Sequence, residues 1–386
     1  MSAWDELTGQ EAAIAMLHDA AADPSAMTHS WLITGPPGSG RSNLAFAFAT
    51  ALLQGSTTGA EAQRTAAQVA ARTHPDLAVL ATDRVIISID EVRQLVAQSQ
   101  FSPSVAPYRV IVIEDADRMA ERTSNVLLKA LEEPPPRTVW VLCAPSAADL
   151  IPTIRSRVRT VRLRVPSVAE VADLLVHRDG VEPALAERAA RESQTHIGMA
   201  VRLATDADAR ARRALTLEIA LGVQSVSTAV FAAERLVAVA TDDAKALTAE
   251  REEEERAAAL RSLGIEPGAS VPMGLRASLK ALEEDQKRRA TRSVRDGIDR
   301  VLVDLMSLYR DLALLQLGAD VELVNEAIRG QLDAAARAST AEQSLAALDA
   351  IALARRRIEG NTPPLLALEA MLISASGRVT ALGSAS

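Results

Sequence analysis

The segment Gly35-Pro36-Pro37-Gly38-Ser39-Gly40-Arg41-Ser42 lies between an apolar run and the helical stretch Asn43 to Leu53, and its residue types suit the holding of an anion. Glycines at 35, 38 and 40 let successive backbone amides turn inward, and the helix that follows adds the positive end of its dipole. Phosphate binding is therefore plausible on backbone grounds alone. Loops of this pattern carry Lys before the final Ser or Thr, because a compact ammonium on a flexible stem reaches between the β and γ phosphates. Here that position is Arg41. A planar guanidinium is bulkier and donates along fixed directions, so the γ group is expected to be misplaced and hydrolysis impaired or absent. The competing reading is compositional: Arg outnumbers Lys along the whole chain, and Arg41 could be drift with activity kept.

A second group follows the apolar run Val110-Ile111-Val112-Ile113, where Glu114, Asp115 and Asp117 stand at the place that holds magnesium and polarises water in phosphate-loop enzymes. The usual order, Asp then Glu, is reversed. Glu114 would reach further toward a metal and Asp115 would fall short of an attacking water, each by about one methylene. A third group is Ile154-Arg155-Ser156-Arg157-Val158 with Arg159 beyond it, which as residues alone reads as an ordinary solvated basic face. Ser146 ends the run from Val139, either as a polar group near a γ phosphate or as a plain strand-terminating serine. Lys287, Arg288, Arg289, Arg292 and Arg295 follow Glu283, Glu284 and Asp285 at spacings that give intrahelical ion pairs, so a solvated helix face is expected there. No aromatic interleaves these charges to stack on bases.

The elements that must position these groups follow from periodicity. Short apolar runs at Trp31-Leu32-Ile33, Leu77 to Leu80, Val110 to Ile113 and Val139 to Leu142 alternate with helical stretches, which predicts a parallel sheet with crossover helices in an α/β domain spanning residues 1–164. Val168, Val171, Leu174, Leu175, Leu185 and Ala189 predict a small helical unit over 165–206. Residues 207–386 read as an all-α domain of long helices interrupted by a Gly/Pro-rich loop from Gly264 to Gly274. Val294, Ile298, Val301, Leu305, Leu308, Leu312 and Leu315 recur at three- and four-residue steps and predict a buried helix stripe.

Composition bounds the function. Nearly half the residues are apolar while aromatics make up 2%, which favours helix packing on Ala, Leu and Val. The formal net charge of −8 repels polyanions at long range, so any nucleic-acid contact needs a local patch or partner chains. The single cysteine, Cys143, forms no internal disulfide and reads as a buried strand residue. No export signal stands near Met1 and no apolar run reaches the ~18 residues needed to cross a bilayer. A reducing, cytoplasmic location without membrane attachment is expected.

Taken together, these motifs resemble the AAA+ ATPases, and Ser124-Asn125-Val126-Leu127-Leu128-Lys129-Ala130-Leu131-Glu132-Glu133-Pro134-Pro135 is similar to a phrase of the clamp-loader family. Ile154 to Val158 resembles that family's Ser-Arg-Cys motif with Val158 in place of the cysteine. Leu7-Thr8-Gly9-Gln10 is similar to its amino-terminal nucleotide-pocket segment, and Ile197 to Ala204 to its second sensor. The resemblance covers about the first 205 residues.

It implies a P-loop, RecA-like AAA+ domain, a helical lid and a helical collar. A defective phosphate loop beside an intact Ser156-Arg157 pair is similar to the delta-prime type of clamp-loader subunit, which helps load a sliding clamp onto primed DNA. By that resemblance Arg157, with Ser156, would act in trans on the γ phosphate held by a neighbouring motor subunit of the gamma/tau type. A clamp-opening delta subunit, the sliding clamp and primed DNA would be its other partners. The nucleotide contacts would be Gly35 to Ser42, Glu114, Asp115, Ser146 as first sensor and Arg202 as second sensor, with ATP or ADP and magnesium bound weakly or not at all. The family's four-cysteine zinc module has no counterpart in the cysteine-free segment Gln54 to Thr73, so no zinc is expected and His74 reads as an exposed or capping histidine. The alternatives are a catalytically active motor subunit, a Holliday-junction helicase motor, which the helix-only tail opposes, and an interaction module with a vestigial pocket.

Overall fold

A computed structural model describes residues 4, 7–23, 27–82, 86–262 and 276–376, which divide into two compact units, residues 1–205 and 206–386. In the first unit the order is α1 (Glu11–Ala22), β1 (Ser30–Thr34), α2 (Arg41–Gln54), α3 (Gly59–Ala70), β2 (Leu77–Leu80), α4 (Ile89–Ser99), β3 (Arg109–Ile113), α5 (Glu121–Glu132), β4 (Thr138–Ala144), α6 (Pro152–Arg155), β5 (Arg159–Arg162), α7 (Val168–Asp179), α8 (Pro183–Glu192) and α9 (Ile197–Thr205). The sheet is five-stranded and parallel, in the order β2-β3-β4-β1-β5.

Near-continuous apolar strands are what a parallel sheet covered on both faces requires. Successive side chains point to opposite faces, and the two cores follow that alternation. Trp31, Ile33, Val110, Val112, Val139, Val141 and Cys143 join Leu44, Phe48 and Leu52 of α2 on one side. Leu32, Ile111, Ile113, Trp140 and Leu142 join Val92 and Leu95 of α4 and Leu127 and Leu131 of α5 on the other. Ser88 and Glu91 close a reciprocal capping box at the start of α4, which satisfies two donors of its first turn.

Periodicity gave no sign of β5. Only Val161 of its four side chains is enclosed, and Arg159 and Arg162 are exposed, the composition of an edge strand rather than a central one. Nor was α3 foreseen in the cysteine-free segment. It is an amphipathic helix buried through Thr65 and Val69.

The second unit is α10 (Ala207–Leu221), α11 (Val226–Ser262), α12 (Arg276–Gln316), α13 (Arg329–Ala338), α14 (Ala341–Glu359) and α15 (Pro364–Ala375), with no strand among the described residues. Ile298, Val301, Leu305, Leu308 and Leu312 are buried in its core and Val294 and Leu315 pack at its margin, the stripe read from spacing. Gly297 allows α12 to approach α11 closely: a Cβ there would stand 2.7 Å from the carbonyl oxygen of Ala240. The segment Gly264 to Gly274 lies outside the described residues.

Buried polar groups tie these helices together. Asp311 is fully buried and accepts from the amides of Val324 and Asn325 at 3.2 and 2.7 Å. Asn325 donates to it again through Nδ2 at 2.9 Å, and takes Nη2 of Arg213 on its own oxygen at 2.6 Å. A second carboxylate, Asp243 on α11, receives Arg212 of α10 and Arg300 of α12 at 2.8 and 2.9 Å. Each partner leaves fewer orphaned polar atoms in the helix interior.

Candidate functional site

The phosphate-loop sequence spans the turn from the carboxyl end of β1 to the start of α2. Gly38 and Gly40 have φ of +78° and +90°, left-handed conformations open to glycine at little cost. Arg41 does not extend over the loop. Its Nη1 donates to the carbonyl oxygen of Gly35 at 2.7 Å and Nη2 lies 3.9 Å from Asp115 Oδ1, with the side chain largely buried. Beneath the loop, burial pushes the Cys143 thiol far above its ordinary pKa, and Sγ faces the carbonyl oxygen of Arg41. It is an inert core group rather than a nucleophile.

At the end of β3 the reversed acids take different paths. Glu114 reaches the loop: the Ser42 hydroxyl donates to its Oε2 at 2.6 Å, and Arg72 Nη2 stands 2.8 Å from its Oε1. Asp115 has a left-handed backbone, φ +51°, and stands between Arg118 at 3.5 Å and Arg41 of the loop at 3.9 Å. Burial, helped by the charge of Asp115, pushes the Asp117 carboxyl above the ordinary aspartate range despite its own backbone hydrogen bond. Sequence reasoning gave no role to Arg72, whose guanidinium also lies over the Phe46 ring at 5.0 Å. Arg72 stands between α3 and β2 with φ of +56°, and no spacing in the sequence signals its reach to Glu114.

These contacts bear on whether a magnesium nucleotide fits. The cation of the loop is bonded to a loop carbonyl, and the serine that would face a metal is bonded to the acid that would share it, itself paired with an internal guanidinium. Arg41 is thus turned to the loop's own backbone, whereas Ser42 and Glu114 lie together as ligands of one metal would have to. Ser146 caps the short turn Ala147–Asp149, its Oγ accepting from the Ala148 amide at 3.2 Å while its own amide donates to Asp149 at 2.8 Å. Arg202 lies in the last turn of α9. At the other end of that helix the Ile197 amide donates to the Gly38 carbonyl at 3.2 Å, and the His196 ring covers Gly38. Leu7 packs toward Gly40, and the Gln10 side chain bridges the backbone of Arg164 through hydrogen bonds of 2.9 and 3.0 Å.

Ser156 and Arg157 are elsewhere. They line a cleft with Thr28, His29, Glu132 and Arg159, at the amino end of β1, whereas the phosphate loop leaves its carboxyl end. Strands rise about 3.3 Å per residue, so the length of β1 separates Arg157 from its own chain's loop. Arg157 Nε donates to Glu132 Oε1 at 2.7 Å, and Nη1 donates to the Thr153 carbonyl at 2.7 Å and to Ser156 Oγ at 3.1 Å. The arginine remains about a third exposed.

Arg295 does not lie on a solvated face: its Nη2 donates to the Ile358 carbonyl at 2.7 Å and to Asn361 Oδ1 at 2.8 Å, closing the carboxyl end of α14. Spacing along one helix could not disclose that crossing partner. Arg292 pairs with Asp296 and Lys287 is exposed. The side chains of Glu283, Glu284, Asp285, Arg288 and Arg289 lie outside the described residues. His74 is buried and caps rather than exposed, its Nδ1 accepting from the Asp76 amide at 3.1 Å.

Residues 9–167 match the family described as DNA polymerase III, delta subunit. The chain is 35% identical over 161 residues to DNA polymerase III subunit delta' of Pseudomonas aeruginosa, covering 40% of this chain and 49% of that protein. With the subunit delta' of Bacillus subtilis it shares 26% identity, over 56% of this chain and 66% of the relative. It thus spans about half to two thirds of the length of these relatives. Among solved structures, a DNA polymerase III gamma subunit-related protein of Thermotoga maritima is 17% identical, with a TM-score of 0.45 over 95% of this chain and 99% of the other.

Proposed function

We propose that this chain, whose residues 9–167 match the DNA polymerase III delta-subunit family, is a delta-prime type subunit of a bacterial clamp loader that lends Arg157 to the ATP site of a neighbouring motor subunit. The observation that carries this reading is the position of Arg157: partly exposed, at the amino end of β1, with its own phosphate loop at the carboxyl end. A guanidinium so placed serves another chain's phosphate better than its own. There it would stabilise the charge that develops on the transferring phosphoryl group. In the chain's own pocket Arg41, Ser42 and Glu114 are occupied with one another's neighbourhood, so nucleotide is expected to bind weakly or not at all.

The partners on this reading are motor subunits of the gamma/tau type, a clamp-opening delta subunit, and through the complex the sliding clamp and primed DNA. The domain scheme proposed with it is an ATPase-type domain over 1–164, a lid over 165–206 and a collar over 207–386 that holds the ring. The work is done by position: one subunit stays fixed while its neighbours turn over ATP.

The test is reconstitution with motor, clamp-opening and clamp proteins. Arg157→Ala is expected to lower DNA-stimulated ATPase of the complex several-fold, given the roughly thousand-fold or larger effects of such arginines at a single site, while assembly persists. Unchanged turnover would reduce the chain to an interaction module. Brisk turnover by the isolated chain, abolished by Arg41→Ala, would instead make it a motor.

A further inference from the structure

We infer that Glu132 is the positioning residue for Arg157, fixing the guanidinium in the orientation that the neighbouring site receives. This rests on the proposed role of Arg157. An arginine carries five N–H donors in a rigid fork, so holding two edges of the fork sets the direction of the third. Glu132 Oε1 takes Nε at 2.7 Å and stands beside Nη2, while Thr153 and Ser156 take Nη1. What is left is a single Nη2 donor without a hydrogen-bond partner among the described residues, on a side chain with its other torsions pinned.

The carboxylate is well mounted for this purpose. Glu132 is the last residue of α5, whose Leu127 and Leu131 are 0% and 5% exposed in the core. Pro134 and Pro135 follow, so the helix cannot continue and carry the acid out of reach. Thr153 and Ser156 come from a different element, the turn of α6. Two separately anchored pieces of backbone therefore grip one side chain.

An exposed ion pair of this kind contributes little to folding, since Glu132 and Arg157 side chains are 45% and 34% exposed. Its value lies in preorganisation: a long, flexible arginine that is already ordered loses less freedom when it meets a phosphate. The carboxylate also keeps the charge of Arg157 balanced until the more highly charged phosphate arrives.

In the reconstituted complex, Glu132→Ala is expected to lower kcat for ATP by roughly five-fold with KM unchanged, because the fork acts on the transition state. Glu132→Gln, which keeps an acceptor for Nε, is expected to recover most of that loss. Adding Glu132→Ala to Arg157→Ala is expected to change nothing further. Wild-type kcat in Glu132→Ala would overturn the inference, as would a rise in kcat, which would make the acid a competitor of the phosphate. If Arg157→Ala itself has no effect, the trans role fails first and Glu132 falls with it. A drop in kcat for Arg157→Ala alone sinks only the positioning role. Thermal melting and gel filtration of the Glu132→Ala chain are expected to match wild type.

Discussion

The imidazole of His196 lies where a side chain on Gly38 would have to go: a Cβ built there would stand 2.2 Å from His196 Cγ. Gly38 also has φ of +78°, so two separate penalties meet at one atom. Gly38→Ala is expected to destabilise the first unit by about 2 to 3 kcal/mol, read as a lowered melting temperature. Adding His196→Ala is expected to return the steric part and leave the backbone part. Full tolerance of Gly38→Ala would show that His196 swings aside freely.

Restoring one residue of the phosphate loop is not expected to restore a reaction. With Arg41→Lys, the Ser42–Glu114 bond, the Arg72–Glu114 pair and the Arg118–Asp115 pair all remain. Phosphate release by the isolated variant is expected to stay at background. Turnover on this single change would mean that Arg41 alone silences the pocket.

Asp76 holds a loop in place. It is fully buried, accepts from the amides of Ser104, Val105 and Ala106 at 2.6, 2.7 and 2.9 Å, and pairs with Arg109 at 3.1 Å. Burial opposes its ionisation, yet those amides and the Ser104 hydroxyl outweigh it and hold the carboxyl below its ordinary range. With the folded pKa depressed, its stabilisation is fully present above the unfolded value of about 3.9 and is lost as pH falls through the folded one. Asp76→Ala is expected to cost about 3 kcal/mol at neutral pH and to flatten the acid limb of a stability–pH curve below about pH 4. An unchanged acid limb would argue against this carboxylate as its source.

The approach of Gly297 to Ala240 predicts a third kind of sensitivity. A methyl group at 297 meets backbone, which cannot rotate away, so α11 and α12 must separate. Gly297→Ala is expected to destabilise the second unit by about 1 to 3 kcal/mol, measured by chemical denaturation followed through helical circular dichroism. A neutral outcome would mean that the crossing has slack.

The parts of this molecule legible from sequence are those set by local repetition. Val110 to Ile113 and Val139 to Leu142 announce buried strands, Gly35 to Ser42 announces a loop that faces an anion, and Ile298 to Leu312 announces a helix stripe. What escaped depends on partners distant in the chain. Arg72 finds Glu114, Arg157 finds Glu132 and Arg295 finds the end of α14, none at a spacing that one element could signal. The strand β5 escaped for a different reason: three of its four residues are polar, and pairing with β1 rather than side-chain pattern makes it a strand.

That strand has an additional consequence. An unsatisfied border on a sheet invites a second copy of the same chain to zip alongside it. Here the border carries two exposed arginines, Arg162 and Arg159, the latter with its guanidinium over the Trp31 ring at 5.0 Å, so two such borders brought together would repel. Like charge thus discourages self-pairing along this border of the sheet.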